Sequence, residues 1–218
     1  MTTFVDLSHP IADGAAAYPG LPAARFFPLL EREASRERYD GKAEFLLGGF
    51  EIAGNTGTYL DSPFHRYADG MDLAAIPLTS CVGLPGVIVE TDADDRRLSV
   101  GDLVDGELAG RAVLFRTGWN ARWGTEAYWR GSPFLGAELV ERLVDAGAAL
   151  VGIDAGNVDD TGDSARPAHT GLLAAGIPIV ENLTNLAALP AEGFVFSAAP
   201  PPFVGGAAFP VRAFAEVP

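Results

Sequence analysis

Gly54-Asn55-Thr56-Gly57-Thr58-Tyr59-Leu60-Asp61-Ser62-Pro63-Phe64-His65-Arg66 is the stretch on which the rest of the chain turns. It is rich in small residues and ends in a carboxylate, Asp61, and an imidazole, His65, four positions apart. Gly54 and Gly57 let the backbone turn tightly or approach a ligand closely. Pro63 fixes its own φ and pushes Ser62 toward an extended conformation. The spacing therefore predicts a strand end running into a rigid loop, not a turn of helix, over Asp61 to His65. Loops held this way by a scaffold often carry chemistry. The same residues would also serve as a Gly/Pro turn with a solvated Asp and His.

Working outward, Glu44 to Ile52 reads as a strand with a bulge at Gly48-Gly49, leading into the motif. Arg25 to Leu30 and Phe4 to Leu7 are further strands. Asp13 to Pro22 is turn-rich around Tyr18 and reads as a flap over a pocket or as a surface loop. Glu31 to Lys42 and Asp92 to Arg97 are charged and exposed. Downstream, Pro85 to Glu90, Arg111 to Gly118, Ala149 to Asp154 and Ile177 to Glu181 are apolar strands, the last two ending in acids. Leu139, Val140, Leu143 and Val144 give a helical period over Leu135 to Ala146, with Gly147 as its stop. His169 to Ala175 and Asn182 to Leu189 are short helix candidates. Phe194 to Phe196 and Val211 to Ala215 are late strands. Helices followed by buried strands are the α/β signature. No repeat or linker divides the chain, so one domain over residues 1–218 is expected.

The 218 residues suffice for a full core, with 48% hydrophobic and 20% charged. The formal net charge is −14, from 29 acids and 15 bases. Such a surface repels phosphate backbones and anionic membranes, so no nucleic acid and no membrane is expected as partner. A small-molecule substrate in a cleft is not disfavoured by it. Cys81 is the only cysteine, which excludes an intrachain disulfide and a Cys-rich zinc site. It lies in an apolar run, Leu78 to Val89, and reads as a buried small hydrophobe. A reducing, cytoplasmic setting fits this usage. The N-terminus shows no basic segment and no long apolar run, so no signal peptide is expected.

Strands ending in polar residues recur at Asp61/His65, Asp154 and Glu181. In open α/β sheets ligands bind beyond such ends. A helix-to-strand return would bring His169 to Glu181. Two carboxylates and two imidazoles can then hold a hard metal or zinc, or serve as general acid and base. The third histidine, His9, reads as a turn support.

The segment Asn55 to His65 resembles the motif of the cyclase-like metal hydrolases, which include bacterial kynurenine formamidases and isatin hydrolases. Their pattern is His-x-Gly-Thr-His-x-Asp-x-Pro-x-His, and this chain keeps its register. The resemblance extends to Val5-Asp6-Leu7-Ser8, Tyr18-Pro19-Gly20, Arg116-Thr117, Ile153-Asp154 and the pair His169/Glu181. It implies an α/β fold of the swivelling β/β/α type, in one domain with a mixed central sheet, assembled as a homodimer or homotetramer. It also implies a hydrolase of an amide-like carbonyl: an N-formyl aromatic amine, a lactam or a related C–N bond. Family members activate water with zinc or manganese. Asp61, His169 and Glu181 match ligands, and His65 matches the general acid–base. Asn55 and Tyr59 stand where the pattern has two metal-binding histidines. An amide oxygen is a weak zinc ligand, and a phenol must lose a proton of pKa about 10 to bind well. One divalent metal on Asp61, His169 and Glu181 is therefore one expectation. A metal-free cyclase, lyase or isomerase using Tyr59, Asp61 and His65 is another, with Asn55 orienting a carbonyl. A non-catalytic small-molecule binder is the third. Tyr18 and Phe64 are candidates for contact with a planar or apolar substrate group.

Overall fold

Period-2 alternation of apolar side chains builds the centre of the molecule. A computed structural model describes residues 2–15, 18–91, 95–103 and 107–218. Residues 16–17 of the Tyr18 segment and 92–94 of the charged loop lie outside the described residues. The strands are β1 (Thr3–Asp6), β2 (Arg25–Leu30), β3 (Leu47–Glu51), β4 (Tyr59–Asp61), β5 (Leu84–Glu90), β6 (Arg97–Leu98), β7 (Ala112–Arg116), β8 (Phe134–Leu135), β9 (Leu150–Ile153), β10 (Ile179–Glu181), β11 (Glu192–Ser197), β12 (Ala208–Pro210) and β13 (Phe214–Val217). The α-helices are α1 (Arg32–Arg38), α2 (Ala137–Asp145) and α3 (Pro167–Ala174).

Nine strands form one sheet in the order β1-β13-β11-β5-β7-β9-β10-β4-β12. Strands β5, β7, β9 and β10 are parallel, and antiparallel strands flank them on both sides. The fold is thus a mixed α/β single domain with the expected mixed central sheet. Along β7, Val113 and Phe115 pack into the cluster shared with α2 and α3 (Leu139, Leu143, Leu172), while Leu114 faces the opposite cluster with Leu60 and Val180. Cys81 is buried in that second cluster.

The same alternation aims the motif. Tyr59 pairs with Glu181 and Asp61 with Ile179 across antiparallel β4 and β10. Residues opposite each other, and residues two apart on one strand, share a face. Tyr59, Asp61 and Glu181 therefore project together onto the face that α3 covers, and Leu60 and Val180 project away from it. Each fully buried Leu or Phe contributes roughly 1.5–3 kcal/mol. Burying a charged group costs several kcal/mol per ion. Two continuous apolar layers are what make this polar cluster tolerable inside the sheet.

Several local expectations are revised. Ser62 is extended (φ −87°, ψ 162°), as Pro63 requires, but Pro63–His65 then closes a single 3₁₀ turn. Proline at the first position of a turn loses no hydrogen bond, so it can open one. The bulge of the β2–β3 hairpin lies in β2, between Pro28 and Leu30, and not at the glycine pair. Arg32–Arg38 is helical. Asn182 to Leu189 is not, apart from a 3₁₀ turn at Leu186–Ala188, because Asn182 and Asn185 both adopt positive φ (58° and 57°). Of the late strands, Val211 to Ala213 is irregular and the strand instead begins at Phe214. No helix among the described residues is long and apolar enough to cross a membrane.

Candidate metal and catalytic centre

The loop before β4 is shaped by its glycines. Gly57 has φ +65°, and a Cβ there would stand 2.8 Å from Ile11 Cγ1. A Cβ at Gly54 would stand 2.5 Å from the Ala208 carbonyl oxygen. The close approach is to the protein's own chain, and it brings Asn55 over the end of β4. Asn182 locks the arrangement. It is fully buried, donates from Nδ2 to the Gly57 carbonyl at 2.7 Å, and accepts at Oδ1 from the Tyr128 hydroxyl at 2.7 Å. Its carbonyl accepts from the Thr58 hydroxyl at 2.6 Å.

Three side chains converge beneath that loop. His169, on the first turns of α3, places Nε2 3.7 Å from Asp61 Oδ2 and 3.8 Å from Glu181 Oε1. All three are buried, and their ligating atoms lie within 4.8 Å of one another. Asp61 Oδ2 has no hydrogen-bond partner although Asp61 is fully buried. Glu181 Oε1 accepts the Val158 N–H at 2.7 Å. Behind His169, Asp159 Oδ2 lies 2.6 Å from Nδ1 and also accepts the His169 N–H at 3.1 Å. A carboxylate on the far nitrogen of a ligating histidine fixes its tautomer and ring plane. A buried imidazole and two carboxylates with an oxygen to spare form a donor set that suits one divalent ion, with water completing the shell.

Electrostatics follow from this burial. Burial alone would lower the pKa of His169, but its hydrogen bond to Asp159 and the nearby carboxylates of Asp61 and Glu181 raise it to about 10. A positive charge is thus favoured at the point between the two carboxylates. Burial raises Glu181 to about 7, partly offset by His169. Burial would raise Asp159, yet hydrogen bonds from His169 and from the Ala168 and His169 N–H groups hold it below the usual carboxylate range.

Asn55 and Tyr59 act on the carboxylates. The Tyr59 hydroxyl donates to Glu181 Oε2, and the Asn55 amide leans toward Asp61 Oδ1 over a long 3.4 Å. Burial, then the charges of Glu181 and Asp61, push the Tyr59 phenol well above its ordinary pKa. Tyr59 is therefore placed as a neutral donor to Glu181.

His65 stands at the edge of the site, one-third exposed at its side chain, with Nδ1 3.5 Å from Asp61 Oδ1. A cavity of about 320 Å³ opens above the cluster, lined among others by Tyr18, Asn55, Tyr59, His65, His169 and Glu181. The Tyr18 backbone N–H reaches the Asn55 carbonyl at 3.3 Å, which ties that turn-rich segment to the motif loop. Phe64 does not line this cavity; its N–H is held by the Met71 carbonyl at 3.0 Å. Asp154 caps the end of β7, accepting from the Thr117 hydroxyl and N–H and from the Gly118 N–H. Asp159, Asn157, Arg66 and Arg166 belong to the site or its rim and were not singled out from the sequence. A buried acid in a loop shared with Asp160 and Asp163 looks like its solvated neighbours until its partner is placed.

His9 lies outside the cluster. Its N–H bonds the Thr58 hydroxyl at 3.0 Å, its ring stacks on Trp123 at 4.0 Å, and Nε2 is buried without a partner. Desolvation lowers its pKa to about 4. The unfolded chain takes up this proton near pH 6.5 and the folded chain only near 4. The stability that His9 contributes is complete above pH 6.5 and is lost as pH falls toward 4. Thermal melts between pH 7 and pH 4 should show a smaller decline for His9→Phe than for wild type; parallel declines would remove His9 as a cause.

Known proteins similar to this chain fall into one family. A profile of the family described as "Putative cyclase" matches residues 5–160. A kynurenine formamidase from Salinibacter ruber is 32% identical over 213 residues, covering 96% of this chain and 95% of that protein. One from Sphingopyxis alaskensis is 29% identical, covering 98% and 97%. Isatin hydrolase A from Ralstonia solanacearum superposes with a TM-score of 0.83 at 25% identity, covering all of this chain and 92% of that one. A potential metal-dependent hydrolase with cyclase activity shares the fold at a TM-score of 0.81 and 24% identity. With the profile spanning well over half the chain and a relative above 30% identity along nearly its whole length, this chain belongs to the cyclase family.

Proposed function

We propose that this protein is a hydrolase of an amide-like, non-peptide C–N bond, arylformamidase-like in its choice of N-formyl aromatic amines, lactams or related compounds. Relatives named kynurenine formamidase and isatin hydrolase support the class. The observation that carries the reading is the buried convergence of Asp61, His169 and Glu181, with an unpartnered Asp61 oxygen, beside the exposed edge of His65. Asp61, His169 and Glu181 would hold one divalent ion, zinc or manganese, which when bound supplies Lewis-acid polarisation and a more acidic water.

The remaining work falls to the chain's own residues. Asp61 orients His65 through Nδ1, leaving Nε2 to take a proton from the attacking water and return it to the departing nitrogen. Asp159 keeps His169 in one tautomer. Tyr59 spends its one hydroxyl proton on Glu181 and holds it in place, while Asn55, whose amide has a second N–H beside the one facing Asp61, presents a neutral donor to a developing oxyanion. Tyr18 walls the cavity against a planar group. The buried lone Cys81 fits a reducing cytoplasm.

Turnover of formanilide before and after chelation, with metal analysis of the purified protein, tests the reading. Stoichiometric zinc or manganese and loss of turnover on chelation are expected. Turnover that survives chelation in metal-free protein would instead favour the cyclase or lyase chemistry of Tyr59, Asp61 and His65. Ligand binding without any turnover would leave a binding protein.

We further propose assembly as a homodimer or homotetramer. The β2–β3 hairpin is a sheet of its own and exposes Leu29, Leu47 and Phe50. A two-stranded hairpin with bare apolar side chains is marginal in water without a surface to pack on. Sedimentation should give at least twice the monomer mass, and Phe50→Glu should shift it toward monomer; a monomeric wild type would end this proposal.

A further inference from the structure

Two guanidinium groups stand at the rim of the catalytic cavity. Arg66 follows His65 directly and is exposed, and Arg166 is the residue before α3, three positions ahead of His169. Both line the same cavity as Tyr59, His65 and Glu181. Most arginines of this acidic chain are tied to carboxylates, as in Arg96–Asp160, Arg97–Glu138 and Arg212–Asp6. Neither rim arginine has a carboxylate within ion-pair distance among the described residues. Arg166 Nη1 instead donates to the Asn157 side-chain oxygen at 2.9 Å, and that oxygen also accepts the Asp159 N–H at 2.9 Å. Asn157 is buried and neutral, so it fixes the guanidinium without cancelling its charge.

The backbone points the same way. Arg166 has φ 49° and ψ 59°, a left-handed conformation that a glycine or asparagine would adopt at less cost. Such strain persists where the surroundings over-determine it, and it clusters at ligand clamps. The chain has 29 acidic residues against 15 basic ones, Glu181 lines the cavity, and Asp61 is buried beside it. A neutral amide needs no cation to enter. An anionic one does, and a basic rim focuses it past the acidic surroundings.

From this arrangement we propose that Arg66 and Arg166 bind a carboxylate carried by the substrate away from the bond that breaks, so that the preferred substrates are anionic amides. The inference rests on the hydrolase reading above and narrows it to a substrate class. Water adds across the C–N bond, giving formate and a free amine from an N-formyl substrate, and the recognised carboxylate passes through unchanged. Guanidinium is suited to this task because its planar fork matches a carboxylate in two hydrogen bonds.

The probes are the three isomeric formamidobenzoates against uncharged formanilide, and the aminobenzoates against aniline for binding by calorimetry. Wild type should favour at least one formamidobenzoate over formanilide. Arg66→Gln and Arg166→Gln should each lower kcat/KM for that substrate by about tenfold to a hundredfold, mainly through KM, because a charge-assisted contact is lost. The ratio of kcat/KM for that substrate to kcat/KM for formanilide should fall by at least about tenfold in each variant, since only the anionic substrate makes the contact. Arg166→Lys should recover part of the loss. Arg66 is exposed, so its variant keeps the test alive if Arg166→Gln fails to fold. Equal losses on charged and uncharged substrates would overturn the proposal, as would aminobenzoates binding no tighter than aniline. If none of the formanilides turns over, the hydrolase reading fails, while the binding comparison still decides whether the rim selects a carboxylate.

Discussion

Asp61→Asn is expected to lower kcat/KM by about three orders of magnitude while the protein still folds. Asp61 is where the functional contacts meet: His65 Nδ1 at 3.5 Å on one oxygen, His169 Nε2 at 3.7 Å on the other. The amide matches the carboxylate in shape but carries no charge, so it weakens the ion site and no longer offers His65 Nδ1 a carboxylate. The effect on stability should be small, because two changes oppose each other. His169 loses a favourable neighbour, and a fully buried carboxylate with one unpartnered oxygen is neutralised. The melting temperature of chelated protein should hold within about 3 °C, which corresponds to roughly 1 kcal/mol. Activity within tenfold of wild type would remove Asp61 from the mechanism. A collapse in melting temperature with metal content intact would make its role structural.

The second large effect is expected from Asn55→His combined with Tyr59→His. At present both positions serve as donors to the carboxylates, and the Tyr59 phenol is held firmly in its neutral form. Two imidazoles would each offer a lone pair to an ion that Asp61 already faces. A hydrogen-bond partner behind a metal ligand is worth about 10- to 100-fold in affinity, so added ligands should exceed that. Competition against a chromogenic chelator would read the gain directly. An unchanged affinity would mean that the loop from Gly54 to Thr58 no longer holds positions 55 and 59 in ligand geometry. Removal of Tyr59 also strips Glu181 Oε2 of its donor, a loss of about 1–3 kcal/mol, so the double variant should depend on metal for its stability more than wild type does.

Much of this site was legible in the sequence because its parts are local. Asp61 and His65 lie within one short segment, and Pro63 dictates an extended Ser62 there whatever the rest of the chain does. The strands β5, β7, β9 and β10 announced themselves as apolar runs because both of their faces are buried. His169 and Glu181 were recoverable from a helix followed by a strand. Asp159 was not, since its meaning depends on a hydrogen bond to His169 and nothing in its own neighbourhood marks it. Arg66 and Arg166 escaped for a related reason: what marks them is their place on the cavity rim, which only the fold reveals. Asn182 misled the helix reading because a periodic pattern cannot show that a buried asparagine will take a left-handed conformation to reach Gly57.

That asparagine divides the pocket into two parts with different freedom to change. Asn182 joins the motif loop to the end of the strand that bears Glu181, and every one of its polar groups is already engaged with a neighbour. The floor therefore behaves as one casting, and a residue altered there disturbs acid, base and ion site together. Tyr18, Arg66 and Arg166 sit on separate segments above it. New substrate preferences in this protein, whether reached by natural drift or in the laboratory, should be accessible through those rim positions, with the floor inherited unchanged.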